Sequence, residues 1–199
     1  MEFVMKLNKY LLATVVATAL SSAAVQAADG TITFNGTVTD SACTAIASVT
    51  ADTVATGTPI SATLTLPPVT TTTLNAATGT YAGQTPFSIQ LTGCEAATGL
   101  NNVRALFTTS NTPAGDAHVM ANTAAATPAT NVAVAIMQQN GTTQIDLNGG
   151  TATDPGAALP VAGSPGPLNL HYKAAYKSLN QSVTAGNVTG VADFVISYF

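Results

Sequence analysis

The segment Thr31-Ile32-Thr33-Phe34-Asn35-Gly36-Thr37-Val38 alternates polar and apolar or glycine positions without a break. An extended backbone sends successive side chains to opposite faces. Gly30, Ile32, Phe34, Gly36 and Val38 therefore share one face, and Thr31, Thr33, Asn35 and Thr37 the other. The same period returns at Phe87-Ser88-Ile89-Gln90-Leu91 and at Phe194-Val195-Ile196-Ser197-Tyr198-Phe199. Val132-Ala133-Val134-Ala135-Ile136-Met137 runs toward Asn140-Gly141, the strongest short hairpin signal, and Ile145-Asp146-Leu147 returns from it. No long segment carries a helical period, and turn-forming residues punctuate the chain about every ten residues, the pattern of an all-β sandwich or barrel.

Softer stretches lie between these segments. Thr63-Leu64-Thr65-Leu66 stops at Pro67-Pro68, which cannot continue a central strand. The Thr run at 70–73, the Ala/Thr-rich residues 121–130 and the Pro- and Gly-rich residues 154–167 read as loops or edge segments. None is a domain boundary, because neither flank is long enough for an independent core.

Charged residues make up 7% of the 199 residues, against roughly 25% in an ordinary globular domain. Disorder driven by charge repulsion is excluded. Leu, Ile, Val and Phe make up about 23% of the chain, just above the roughly 20% below which a packed core fails. The basic residues Lys6, Lys9, Arg104, Lys173 and Lys177 form no run. Nucleic acid is therefore not an expected partner, since phosphate neutralisation needs clustered cations.

Residues 1–27 read as a secretory signal peptide: Lys6 and Lys9 form the positive start, residues 10–20 an apolar stretch, and Val25-Gln26-Ala27 the cleavage site. Met1-Glu2-Phe3-Val4 precede a natural-looking start at Met5 and read as an expression scar or an early start codon. The apolar stretch is too short to cross about 30 Å of hydrocarbon, so the mature chain is not expected to span a membrane. From Ala28 onward three cations face eight carboxylates, a net charge of about −5. Export makes Cys43 and Cys94, the only cysteines, the expected disulfide. The alternative, a metal pair, lacks a His or carboxylate at ligand spacing.

The residues of catalysis are sparse. His118 and His171 are the only histidines, no Ser lies in a nucleophile elbow, no HExxH is present, and Asp154 and Asp193 carry no pairing pattern. Neither an enzyme nor a cofactor or metal site is expected. Asn35, Asn140, Asn180 and Asn187 match N-x-[ST], and in a Thr-rich chain they read as turn and strand residues.

Strong β patterns at both ends of the mature chain are unusual, because chain ends are poorly ordered unless tied down. The stretch from Ala28 to Cys43 resembles the mature start of type 1 fimbrial subunits, the pilins of the bacterial chaperone-usher pathway. The likeness continues through Phe87-Ser88-Ile89-Gln90-Leu91-Thr92-Gly93-Cys94, through Asn131 to Met137 with Asn140-Gly141, and into Ala192 to Phe199 with its penultimate tyrosine. It is weak over residues 49–82 and 151–167.

The resemblance implies an incomplete immunoglobulin-like β-sandwich that lacks its last strand and is completed in trans by a donor strand. Residues 28–40 would be the donor extension and residues 41–199 the pilin domain. Gly30, Ile32, Phe34, Gly36 and Val38 would point into a neighbour's groove, with Gly36 at the family's donor glycine. Phe194, Ile196 and Tyr198 would line the acceptor edge, and Phe199 would anchor to basic chaperone residues, although the family more often ends in a polar residue. The implied partners are neighbouring subunits in a head-to-tail homopolymer, a periplasmic chaperone and an outer-membrane usher. The implied destination is a surface fimbrium that supports adhesion. A minor adaptor pilin and a self-contained secreted carbohydrate-binding sandwich are the alternatives; against the latter, Trp is absent and aromatics are 6%.

Overall fold

The computed structural model describes residues 42–43, 45–51, 54–55, 60–148 and 153–199. The signal peptide and the donor residues Gly30, Ile32, Phe34, Gly36 and Val38 lie outside the described residues. Among the described residues ten strands follow in order: β1 (Ala45–Thr50), β2 (Val54–Ala55), β3 (Tyr81–Cys94), β4 (Asn102–Thr108), β5 (Met120–Ala121), β6 (Val132–Gln138), β7 (Gln144–Ile145), β8 (Ala157–Ala158), β9 (Gly166–Ser178) and β10 (Asp193–Tyr198). One helical turn, α1 (Thr71–Leu74), precedes β3. The Thr run read as a loop makes this turn itself, since Thr70 Oγ1 accepts from the Thr73 N–H at 3.1 Å.

Every strand pairing is antiparallel. The larger sheet runs β2-β1-β3-β9-β6-β5, with β7 also on β6, and the smaller runs β10-β4-β8. The long β3–β9 pairing carries the larger sheet. A bulge between Leu91 and Cys94 falls where Gly93 takes a φ of +60°, a conformation glycine adopts without a Cβ penalty. Cys43 and Cys94 are bonded, which ties the chain before β1 to the end of β3.

The expected hairpin forms between β6 and β7, with Ile136 opposite Ile145. Its loop is wider than a two-residue turn, and the Gln138 N–H donates to the Thr143 carbonyl. Asn140 explains the width: its Oδ1 accepts from the N–H groups of Thr142 and Thr143.

The core lies between the two sheets. Ile89, Leu91, Leu170, Tyr172, Val134 and Ile136 from the larger sheet meet Val103, Ala105 and Phe107 from β4. The rings of Phe107 and Tyr172 cross edge to face at 5.0 Å, joining the sheets. Each buried Val, Leu, Ile or Phe side chain here contributes about 1.5–3 kcal/mol before ordering costs. The Val-Ala-Val-Ala run of β6 is buried on both faces, because Ala133, Ala135 and Met137 form a second cluster on the outer side with Val119 and Ala175. The loop carrying Val119 is pinned there by Lys177, whose Nζ donates to Asp116 Oδ2 at 2.7 Å and to Gln144 Oε1 at 2.8 Å.

Candidate functional site: the outer edge of the small sheet

β10 pairs with β4 along its whole length, from Asp193 opposite Thr108 to Tyr198 opposite Val103. On its other side no strand pairs with it among the described residues. The alternation in sequence sets what this edge presents. Phe194, Ile196 and Tyr198 point inward and pack on the core, yet each stays only half-buried. Their equivalents on β4 (Val103, Ala105 and Phe107) are buried. Ile60, Leu64 and Leu66, which precede α1, are likewise half-buried against the same core. Pro67 and Pro68 follow them, as the sequence requires.

The end of β10 is fixed in place. The Phe199 main-chain oxygen accepts from the N–H groups of Asn101 and Asn102 at 2.9 and 2.8 Å, and its own N–H donates to the Asn102 carbonyl. The Arg104 guanidinium lies 3.9 Å from the centre of the Phe199 ring. Gly156 lets that ring settle: a Cβ there would sit 2.7 Å from the Val103 carbonyl and 3.0 Å from the ring. Arg104 Nη1 also donates to the Asp154 carbonyl.

A buried strut beneath β4 holds the small sheet to the large one. The Tyr172 hydroxyl, on β9, donates to Asp154 Oδ2 at 2.8 Å and accepts from the Ala105 N–H of β4 at 3.1 Å. The other Asp154 oxygen accepts from the Gly156 N–H. Because β8 pairs only with Asn102 and Val103, Ala105 lies past its end, and the phenol takes the place of a strand. Burial, the Asp154 charge and the hydrogen bond to it push the phenol far above its ordinary pKa, against the opposing hydrogen bond from Ala105, so it stays a donor. Asp154 and Asp193 are thus set apart, the first buried under β8 and the second exposed on β10. Nothing local in the sequence marks Tyr172 as the partner of Asp154.

A cleft of about 850 Å³ opens between α1 and two loops, lined by Val69, Leu74, Ala129, Tyr176, Val183 and Val188. The loops are zipped by neutral side chains: Asn122 Nδ2 donates to the carbonyls of Ala129 and Asn187, and Asn187 Nδ2 to that of Ala126. Among the described residues no three His, Cys, Asp or Glu side chains gather as metal ligands. His118 Nδ1 lies 3.2 Å from the Leu147 carbonyl, and His171 is exposed on β9.

Comparison with known proteins agrees with this architecture. A family model described as fimbrial protein matches residues 32–199. The major fimbrial subunit SMF-1 of Stenotrophomonas maltophilia is 34% identical over 88% of this chain and 95% of its own length. The F17 fimbrial protein of Escherichia coli is 35% identical over 90% of this chain and 93% of its own. A chain of a solved chaperone-usher pilus superposes with a TM-score of 0.54 at 20% identity, covering 86% of this chain and 96% of that one. That likeness shows the fold, an immunoglobulin-like sandwich. An all-β chain, matched from Ile32 to its final residue by the family model and nearly end to end by fimbrial subunits, belongs to the fimbrial protein family and is a structural subunit of a surface fimbrium.

Proposed function

We propose that this subunit polymerises by donor-strand exchange. Residues 28–40 of one copy add a strand along the outer edge of β10 in the next, and Gly30, Ile32, Phe34, Gly36 and Val38 face the half-buried row of Phe194, Ile196 and Tyr198. The observation that carries the reading is that row, an apolar strip only half-buried along a strand that pairs with β4 alone among the described residues. An unpaired apolar edge is a liability in a finished domain, and strand addition is the mode that uses it; donor-strand complementation in pilins is an established instance. Each donor enters a different molecule, so the contact is head-to-tail and builds a filament, not a ring.

Before assembly the same edge needs a temporary occupant, and a periplasmic chaperone supplies one. Phe199, ordered at the end of the strand by Asn101, Asn102 and Arg104, is the contact for that chaperone's basic residues. An outer-membrane usher then passes the subunit to the surface, where the filament supports adhesion. With its own donor segment the chain suits the repeating shaft.

Removing residues 28–39 tests the reading. The intact chain is expected to give a ladder of polymers that survives mild detergent, and the shortened chain only a chaperone-bound monomer. A ladder from the shortened chain contradicts the reading.

A further inference from the structure

Alternation fixes which face of β10 turns inward, but not how far along β4 the strand lies. The inward positions Ala192, Phe194, Ile196 and Tyr198 are all apolar or aromatic and pack on the core. A shift of one residue exchanges the two faces and is penalised, whereas a shift of two turns apolar side chains inward again. One ladder, to β4, carries the strand among the described residues. Its register is therefore set by what grips its ends.

That grip is uneven. At the start of the strand, Thr109 Oγ1 donates to the Val191 carbonyl at 2.8 Å. At the other end Phe199 is held by main chain and ring together. Its main-chain oxygen accepts from the Asn101 and Asn102 N–H groups, and its ring meets the Arg104 guanidinium on its face, 3.9 Å from its centre. The ring also fills a notch at Gly156, where a Cβ would lie 3.0 Å from it. Arg104 is fixed in turn, since its Nη1 donates to the Asp154 carbonyl at 3.0 Å. The Asp154 carboxylate accepts from the Gly156 N–H and from the Tyr172 hydroxyl on β9. The seat of Phe199 is thus tied to the larger sheet as well as to β4, and a shift of two residues would carry the ring about 7 Å out of it.

Resting on the donor-strand reading, we propose that Phe199, Arg104 and Gly156 are positioning residues of the acceptor edge: they lock β10 in the register that brings Phe194, Ile196 and Tyr198 opposite the matching side chains of the incoming strand. A strand added beside β10 takes its register from β10. An error of two residues in β10 therefore brings a large donor side chain to the place meant for Gly36. The three residues act on the donor through β10, and what they control is the discrimination between donors, a difference of affinities rather than an affinity.

The test takes the full-length subunit in its chaperone complex and adds either a peptide of residues 28–40 or the same peptide carrying Phe34→Gly with Gly36→Phe, which moves the glycine by two residues. Chaperone release is followed by native mass spectrometry for wild type, Phe199→Ala and Arg104→Gln, the last being the milder change if Phe199→Ala yields no complex. Wild type is expected to prefer the native peptide by about fivefold or more, the cost of forcing a large side chain into a space fitted to a small one. In both variants the preference is expected to fall toward one. A role in stability alone changes the rates of both peptides by the same factor and leaves the preference as it was, which overturns the proposal. A wild-type subunit that takes both peptides alike overturns it too, as does failure of both variants to form the complex, which makes the seat a requirement of folding. If neither peptide releases the chaperone from wild type, the donor-strand reading fails and this inference with it; a native peptide that works, with an unchanged preference in the variants, removes this inference alone.

Discussion

The two sheets of this subunit differ in how finished they are. In the larger sheet β6 is covered on both faces, with Val134 and Ile136 in the main core and Ala133, Ala135 and Met137 under the loop that Lys177 holds down. In the smaller sheet β10 pairs with β4 alone among the described residues, and its inward row is only half-buried. The larger sheet closes over its apolar residues, whereas the inward row of β10 stays half-buried. On the donor-strand reading proposed above, burying this row contributes only once another chain arrives.

This contrast breaks if Ile89 and Ile196 behave alike. Ile89→Ala is expected to cost about 2–5 kcal/mol in denaturant unfolding whether or not a donor is bound, since its site is closed in either state. Ile196→Ala is expected to cost about 1 kcal/mol in the unfilled subunit, and distinctly more once a donor covers it. Equal costs for the two residues in the unfilled subunit would mean that β10 is already part of a closed core. Next in size is Tyr172→Phe, which strands the Ala105 N–H and a buried Asp154 oxygen. A loss of about 1–3 kcal/mol is expected, read in the same titration, and no loss would show that the strut does not tie the sheets.

The smallest effect belongs to the pinned loop over the larger sheet. Burial alone would raise the Asp116 carboxyl, but the hydrogen bond and charge of Lys177, together with the His118 N–H, hold it below its ordinary value. A depressed carboxyl stabilises the fold above its unfolded pKa of about 3.9, and that stability is lost as pH falls through the folded value. Lys177 is raised in turn: burial opposes its charge, and Asp116 more than offsets this, so its share persists until strongly alkaline pH. Asp116→Asn is expected to cost about 1 kcal/mol or less at pH 6 and nothing near pH 2, measured as the melting temperature against pH.

Much of this architecture is local and so was legible in the sequence. Phe87 to Leu91, Val132 to Met137 and Phe194 to Tyr198 all form strands where the alternation puts them, and the two cysteines pair. β4 was hidden, because its outward Leu106 breaks the polar half of the alternation. β9 was hidden too, since its start lies inside the Pro- and Gly-rich stretch and its Ala174-Ala175 pair has no apolar period. The Tyr172–Asp154 strut depends on the two sheets being stacked, and no spacing along the chain encodes it. The site divides the same way: its inward row was readable from alternation, whereas the clamp on Phe199 needed Asn101, Arg104 and Gly156 brought together by the fold.

The central claim is that the open edge of β10 is a binding site for residues 28–40 of another copy. The direct measurement takes the chaperone-bound subunit lacking residues 28–39 and adds a synthetic peptide of residues 28–40, following chaperone release by native mass spectrometry. The account predicts that one peptide replaces one chaperone, and that a peptide carrying Gly36→Leu does so far more slowly. A chaperone that stays bound, or two peptides that act at the same rate, would contradict it.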